Sequence, residues 1–164
     1  MLKNLFSGKD HRDKTVLELE KISAAFKTAF SSDEIKWQWD ERFNSVLAEF
    51  DAKQQEKVLA LLSGHFTDYW YNTCIGEAPG AIQQVNERLG GLKPGQLFFS
   101  TDATEASFLY CAWWPWNLGK TISIRISLED KIDSADERYM LEKNCKDWFS
   151  IQPNDEWDKF SFKD

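Results

Sequence analysis

Cysteine and histidine are scarce in this chain, and each scarcity excludes something. Cys74, Cys111 and Cys145 are the only cysteines; they stand far apart and never as C-x-x-C. An odd, scattered set supports neither a disulfide framework nor a zinc site. Free thiols fit a reducing compartment. His11 and His65 are the only histidines, which leaves little for metal ligation or proton shuttling. No stretch approaches the roughly 18 apolar residues that a membrane helix needs. Residues Met1 to Asp10 are too poor in apolar residues for the core of a signal peptide. The chain is therefore expected to be soluble and cytoplasmic, with no membrane contact. There is no internal repeat and no low-complexity tract. The glycine-rich stretch Gly90-Gly-Leu-Lys-Pro-Gly95 lacks phosphate-loop and dinucleotide spacing. It also follows a helical pattern and precedes a strand, the reverse of the order such loops need. No cofactor and no metal are expected.

Aromatic residues are plentiful. Eight Trp, twelve Phe and four Tyr make up 15% of the 164 residues. Large rings dominate both cores and interfaces, so composition does not separate those uses. The length suits a single globular domain over residues 1–164, with residues 1–13, polar and irregular, as a loose arm. The formal charge of −7 is uneven: residues 1–14 carry +2, residues 129–164 carry −5 and the middle −4. An acidic section repels phosphate backbones, which disfavours nucleic acid as a partner. It favours encounter with a basic protein surface.

The apolar period predicts an α+β domain: a helix-rich first half, a small antiparallel sheet of three to four strands in the second half, and a further helix near the C-terminus. Val16, Leu19, Ile22, Phe26 and Phe30 mark a helix over about 15–30, with Thr15 and Glu18 as its capping box. Ser31 and Glu34 read as the next such cap. The stripe Ile35, Trp39, Phe43, Val46, Leu47 and Phe50 follows it at helical spacing. Asp51 and Gln54 cap a short helix through Leu62, closed at Gly64, and the aromatic run Phe66, Tyr69 and Trp70 fits a further helix or its continuation. Pro79 opens a helix through Ile82, Val85 and Leu89, which Gly90-Gly91 closes. Beyond Pro94-Gly95 the period changes to that of strands. Residues 96–101 form one. Phe108 to Trp114 is a continuous apolar run suited to a central strand covered on both faces. Thr121 to Leu128 alternates strictly, with Ile122, Ile124, Ile126 and Leu128 on one face and Ser123, Arg125 and Ser127 on the other. Pro115 and Asn117-Leu-Gly119 predict a hairpin between the last two strands. Ser134 and Glu137 cap the last helix, which runs to about Phe149; Trp157, Phe160 and Phe162 argue that the tail docks.

Trp113-Trp114-Pro115-Trp116 is the most distinctive local feature. Trp113 and Trp114 face opposite sides of a pleated strand, so at least one ring of the three should be partly exposed. Exposed Trp is enriched among binding hot spots. Arg125 stands alone as a charge in its strand and, with the tryptophans, suits an acidic or planar group if its face is open; the better reading leaves that face merely wet. Adjacent carboxylates such as Asp40-Glu41 and Glu129-Asp130 point apart on regular backbone. Asp155-Glu156, in a loop, are free to converge. The residues expected to bind a partner or ligand are Trp113, Trp114, Trp116, Arg125, Asp155, Glu156 and Trp157. No residue is assigned a catalytic role.

The leading expectation is a non-catalytic protein-binding module, in concrete form an immunity-type protein that neutralises a toxin with an acidic, aromatic-rich surface. The alternative is a small-molecule binder whose pocket lies between the sheet and the Trp-rich hairpin, lined by Arg125, Tyr110 and Trp113. A hydrolase or transferase built on His65, Cys74 or Asp68 requires His65 within one water bridge of a carboxylate or thiol.

Overall fold

A computed structural model describes residues 8–131 and 134–152. The last strand pair carries the architecture. β5 (Ser107–Trp116) and β6 (Thr121–Asp130) form an antiparallel hairpin. Its turn places Asn117, Leu118 and Gly119 at positive φ, a conformation that Asn and Gly accept at low cost and that leaves Leu118 fully outside. The expected alternation of β6 holds. Ile122, Ile124, Ile126 and Leu128 enter one core, with Leu109, Cys111 and Trp113 of β5 beside them. Phe108, Tyr110 and Ala112 of β5 enter a second core on the other face. β5 is thus covered on both sides, as its unbroken apolar run requires.

Four further strands extend this pair into a six-stranded, wholly antiparallel sheet. They are β1 (Lys36–Asp40), β2 (Ser45–Asp51), β3 (Asp68–Tyr71) and β4 (Leu97–Ser100), and the sheet order is β1-β2-β6-β5-β4-β3. Helices α1 (Gly8–Ala29), α2 (Gln55–Ser63) and α4 (Ala135–Trp148) supply the first core with Leu19, Ile22 and Phe26, with Val58 and Leu62, and with Leu141 and Cys145. Helix α3 (Gly80–Arg88) supplies the second with Ile82 and Val85. The α+β class stands, but the sheet has six strands where three to four were expected.

The difference lies in residues 31–51 and 66–71. Ser31 and Glu34 do form the reciprocal cap: the Ser31 N–H donates to Glu34 Oε1 at 2.9 Å, and the Glu34 N–H donates to Ser31 Oγ at 3.3 Å. The motif closes only a single turn. After it, Trp37 and Trp39, then Val46, Ala48 and Phe50, recur at period two and pack on the first core. Asn44 takes a positive φ of 48° in the turn between β1 and β2, and Asp40 Oδ1 accepts the Arg42 N–H at 3.0 Å. The helical stripe and the strand alternation share Trp39, Val46 and Phe50. Pairing with β6 decides between them, because it satisfies the backbone and buries the second set. The aromatic run after His65 is likewise a strand: Phe66 is core, and β3 forms the sheet edge with Tyr69 and Tyr71 exposed.

At the N-terminal side, α1 is already helical at Gly8, ahead of the start expected near residue 15. Residues 8–13 of the expected arm are helical, and Arg12 is buried there. Thr15 is inside the helix and donates to the His11 carbonyl, while Glu18 turns to His65 instead of closing a cap. The caps of the other helices follow the sequence: Asp51 accepts the Lys53 N–H, Ser134 accepts the Glu137 N–H, and Gly90 and Gly91 take positive φ after α3.

Ile124 is fully buried and Leu118 is 96% exposed, in the same hairpin. Ile124→Ala should cost about 2–5 kcal/mol of unfolding free energy, and Leu118→Ala should stay within roughly 0.5 kcal/mol. Urea denaturation of both variants checks the assignment of faces.

Candidate functional site

The three tryptophans at the end of β5 meet three fates. Trp113 is 3% exposed and packs edge-on against Phe50, 5.6 Å between centroids, in the first core. Trp114, its neighbour in the chain, is half-buried on the opposite face, 6.4 Å from Phe43. Trp116 is 48% exposed. Its indole N–H donates to Ser123 Oγ across the hairpin at 2.9 Å, which fixes the ring while leaving its face outside. Leu118 continues this apolar tip. Arg125 does not sit on a wet face: its side chain is 11% exposed, and its Nε donates to Asp40 Oδ2 at 2.9 Å, with Asp40 12% exposed. The guanidinium lies 4.4 Å from the Trp114 ring and 5.6 Å from the Phe43 ring. Its acidic partner is therefore internal, and it braces the β1–β2 turn against the hairpin. Ser127 works in the same direction by donating to the Asn44 carbonyl.

Tyr110 and Trp113 point to opposite faces of β5, so they do not line one pocket with Arg125. Asp155, Glu156 and Trp157 lie outside the described residues, as do Phe160 and Phe162.

Of the nucleophile candidates, Cys111 and Cys145 belong to the first core. Burial pushes both thiols up, Cys145 to about 12 with a small contribution from Glu142. Such thiols stay protonated and inert at neutral pH. Cys74 is half-buried and its Sγ accepts the Tyr71 N–H. His65 Nδ1 lies 2.8 Å from Glu18 Oε1, a carboxylate contact, yet neither Asp68 nor Cys74 is its hydrogen-bond partner.

The adjacent carboxylates Glu129 and Asp130 diverge as strand geometry demands. Glu129 receives both arms of Arg88 from α3, at 2.9 and 3.1 Å; Asp130 receives Arg12 from α1 at 2.7 Å. Between them, where β6 ends, opens a cavity of about 360 Å³. Sequence reasoning missed it. Its arginines are at positions 12, 42, 88 and 138, too far apart to form a motif, and their common signal is visible only once four elements meet.

Asp40→Ala strands a nearly buried guanidinium and should cost about 3 kcal/mol. Asp40→Ala combined with Arg125→Met should recover part of that loss, so that a double-mutant cycle by chemical denaturation shows coupling between the two positions. Ellman's reagent on the native protein at pH 8 should titrate Cys74 first, with Cys111 and Cys145 reacting only after denaturant is added; fast native reaction of either buried thiol would contradict their packing. No known protein family, characterised protein or solved structure matches this chain, so a functional reading has only its own residues to stand on.

Proposed function

We propose that the protein is a non-catalytic, cytoplasmic protein-binding module that docks through the tip of the β5–β6 hairpin. The observation that carries this reading is Trp116: a large ring, half exposed, held in place by its own hydrogen bond to Ser123 and flanked by the fully exposed Leu118. A pre-positioned aromatic anchor loses little side-chain freedom on binding, which is the usual character of a hot spot. Two residues back along β5, Trp114 lies against Arg125, which pairs with Asp40. The net charge of −7 favours a partner with a basic surface. The concrete form is an immunity-type protein that covers the basic active site of a toxin. Free thiols, two of them in the core, suit the reducing compartment in which such a protein would act.

The test uses the tagged full chain against native lysate. A stoichiometric partner should be captured by the unsubstituted protein and lost with Trp116→Ala, whose melting temperature should be unchanged. Added salt should weaken capture by slowing association. The partner expressed alone should arrest growth, and co-expression of this chain should restore it. Equal capture by Trp116→Ala removes the hairpin from the interface, and growth unaffected by the partner removes the toxin assignment.

A further inference from the structure

The chain has five arginines, at positions 12, 42, 88, 125 and 138. Four of them, all but Arg125, line the cavity at the end of β6, and no lysine is among the described lining residues. They arrive from four places: Arg12 from α1, Arg42 from the β1–β2 turn, Arg88 from the end of α3 and Arg138 from α4. A chain whose net charge is −7 thus gathers guanidinium groups in one concavity, where the lining carboxylates are Glu129 and Asp130. Lysine would serve a merely basic surface equally well. The arginine fork suits oxyanions, and two of these forks are taken by the chain's own carboxylates.

Arg12 and Arg88 have structural duties that also shape the site. Arg12 is 8% exposed, with Nη1 on Asp130 at 2.7 Å, Nε near Glu137 Oε2 at 3.1 Å and Nη2 donating to the Glu137 carbonyl. Arg88 grips Glu129 with both arms. These pairs hold α1, α3 and α4 to the end of the sheet and keep the cavity walls in place. Arg42 differs. It is exposed, lies 4.4 Å from the Phe43 ring centroid, and has no ion pair among the described residues. Tyr110, 1% exposed, lines the floor; burial raises its pKa, so the hydroxyl keeps its proton.

We propose that this cavity is a binding site for the phosphate group of a small phosphorylated ligand. Arg12 and Arg88 are engaged by Asp130, Glu137 and Glu129, and Arg42 leaves its donors open to a ligand; four guanidiniums against two lining carboxylates leave a positive surplus that suits a doubly charged phosphate better than a singly charged carboxylate. The volume sits at the lower end of ligand pockets, enough for a sugar phosphate or a mononucleotide and too little for a dinucleotide. The site is independent of the hairpin tip: its residues are not those of the Trp116 surface, so either assignment stands or falls alone.

Inorganic phosphate is the probe. Isothermal titration of the full chain, at ionic strength matched with chloride, should show saturable binding in the millimolar range or tighter. Arg42→Ala should weaken that binding about tenfold, the weight of one charge-assisted contact, with an unchanged melting temperature in phosphate-free buffer. Lys36→Ala, on the exposed part of β1, should bind as the unsubstituted chain does. In the unsubstituted protein the arginine Nε–Hε signals of Arg42 and Arg88 should shift with the same saturation curve, a readout that does not depend on any variant folding. Absence of saturable heat and of guanidinium shifts overturns the site. Equal affinity in a folded Arg42→Ala overturns the role of the cluster, and tighter binding of succinate than of phosphate overturns the choice of phosphate.

Discussion

The ladder between β5 and β6 is the constraint on which the rest depends. Ten residue pairs join the two strands, from Ser107 opposite Asp130 to Trp116 opposite Thr121. Because side chains alternate, this one register sets both faces at once. It places Leu109, Cys111 and Trp113 with the isoleucines of β6 under α1, and it places Phe108, Tyr110 and Ala112 under α3. A slip of one residue would exchange the two sets and expose the isoleucines. The outer strands add to this pair from both sides: β2 pairs with β6, and β4 pairs with β5.

The two ends of this ladder have different chemistry. At the turn end, apolar side chains outnumber the places to bury them. Trp113 and Trp114 take the two faces, and Trp116 and Leu118 remain outside. At the open end, β6 finishes on two carboxylates that strand geometry sends apart, and each collects an arginine from a different helix. The ion pairs there anchor helix ends on the sheet. Arg12 is nearly buried with Asp130, and such a pair is tolerated when the remaining hydrogen bonds are made, here to the Glu137 carbonyl. The Arg88 pair is more exposed and contributes orientation more than stability.

Phe43 links the ends. It sits in the turn between β1 and β2, touches Trp114, and lies against both Arg42 and Arg125. Arg125 and Asp40 secure that turn over the sheet, and Ser127 holds the Asn44 carbonyl. A position that looks apolar in the chain is thus a hinge point between an aromatic surface and a guanidinium-lined cavity.

Local chemistry determined a good part of this structure. The alternation of β6, the unbroken apolar run of β5, the turn between them, the caps at Asp51 and Ser134 and the glycine stop after α3 are all readable in the chain, because each depends on neighbours within a few residues. The exposure of one Trp in the hairpin end also follows from counting the faces that a strand offers. Tertiary structure decided the rest. Residues 35–50 satisfy two periods at once, and only a paired edge on β6 selects the strand. Arg12, read from the sequence as part of a loose arm, lies in α1 and meets Asp130, 118 residues away. Arg125 reads as a surface charge until Asp40 is brought against it. The cavity at the end of β6 has no sequence signature at all, since Arg12, Arg42, Arg88 and Arg138 become one site only when four separate elements converge.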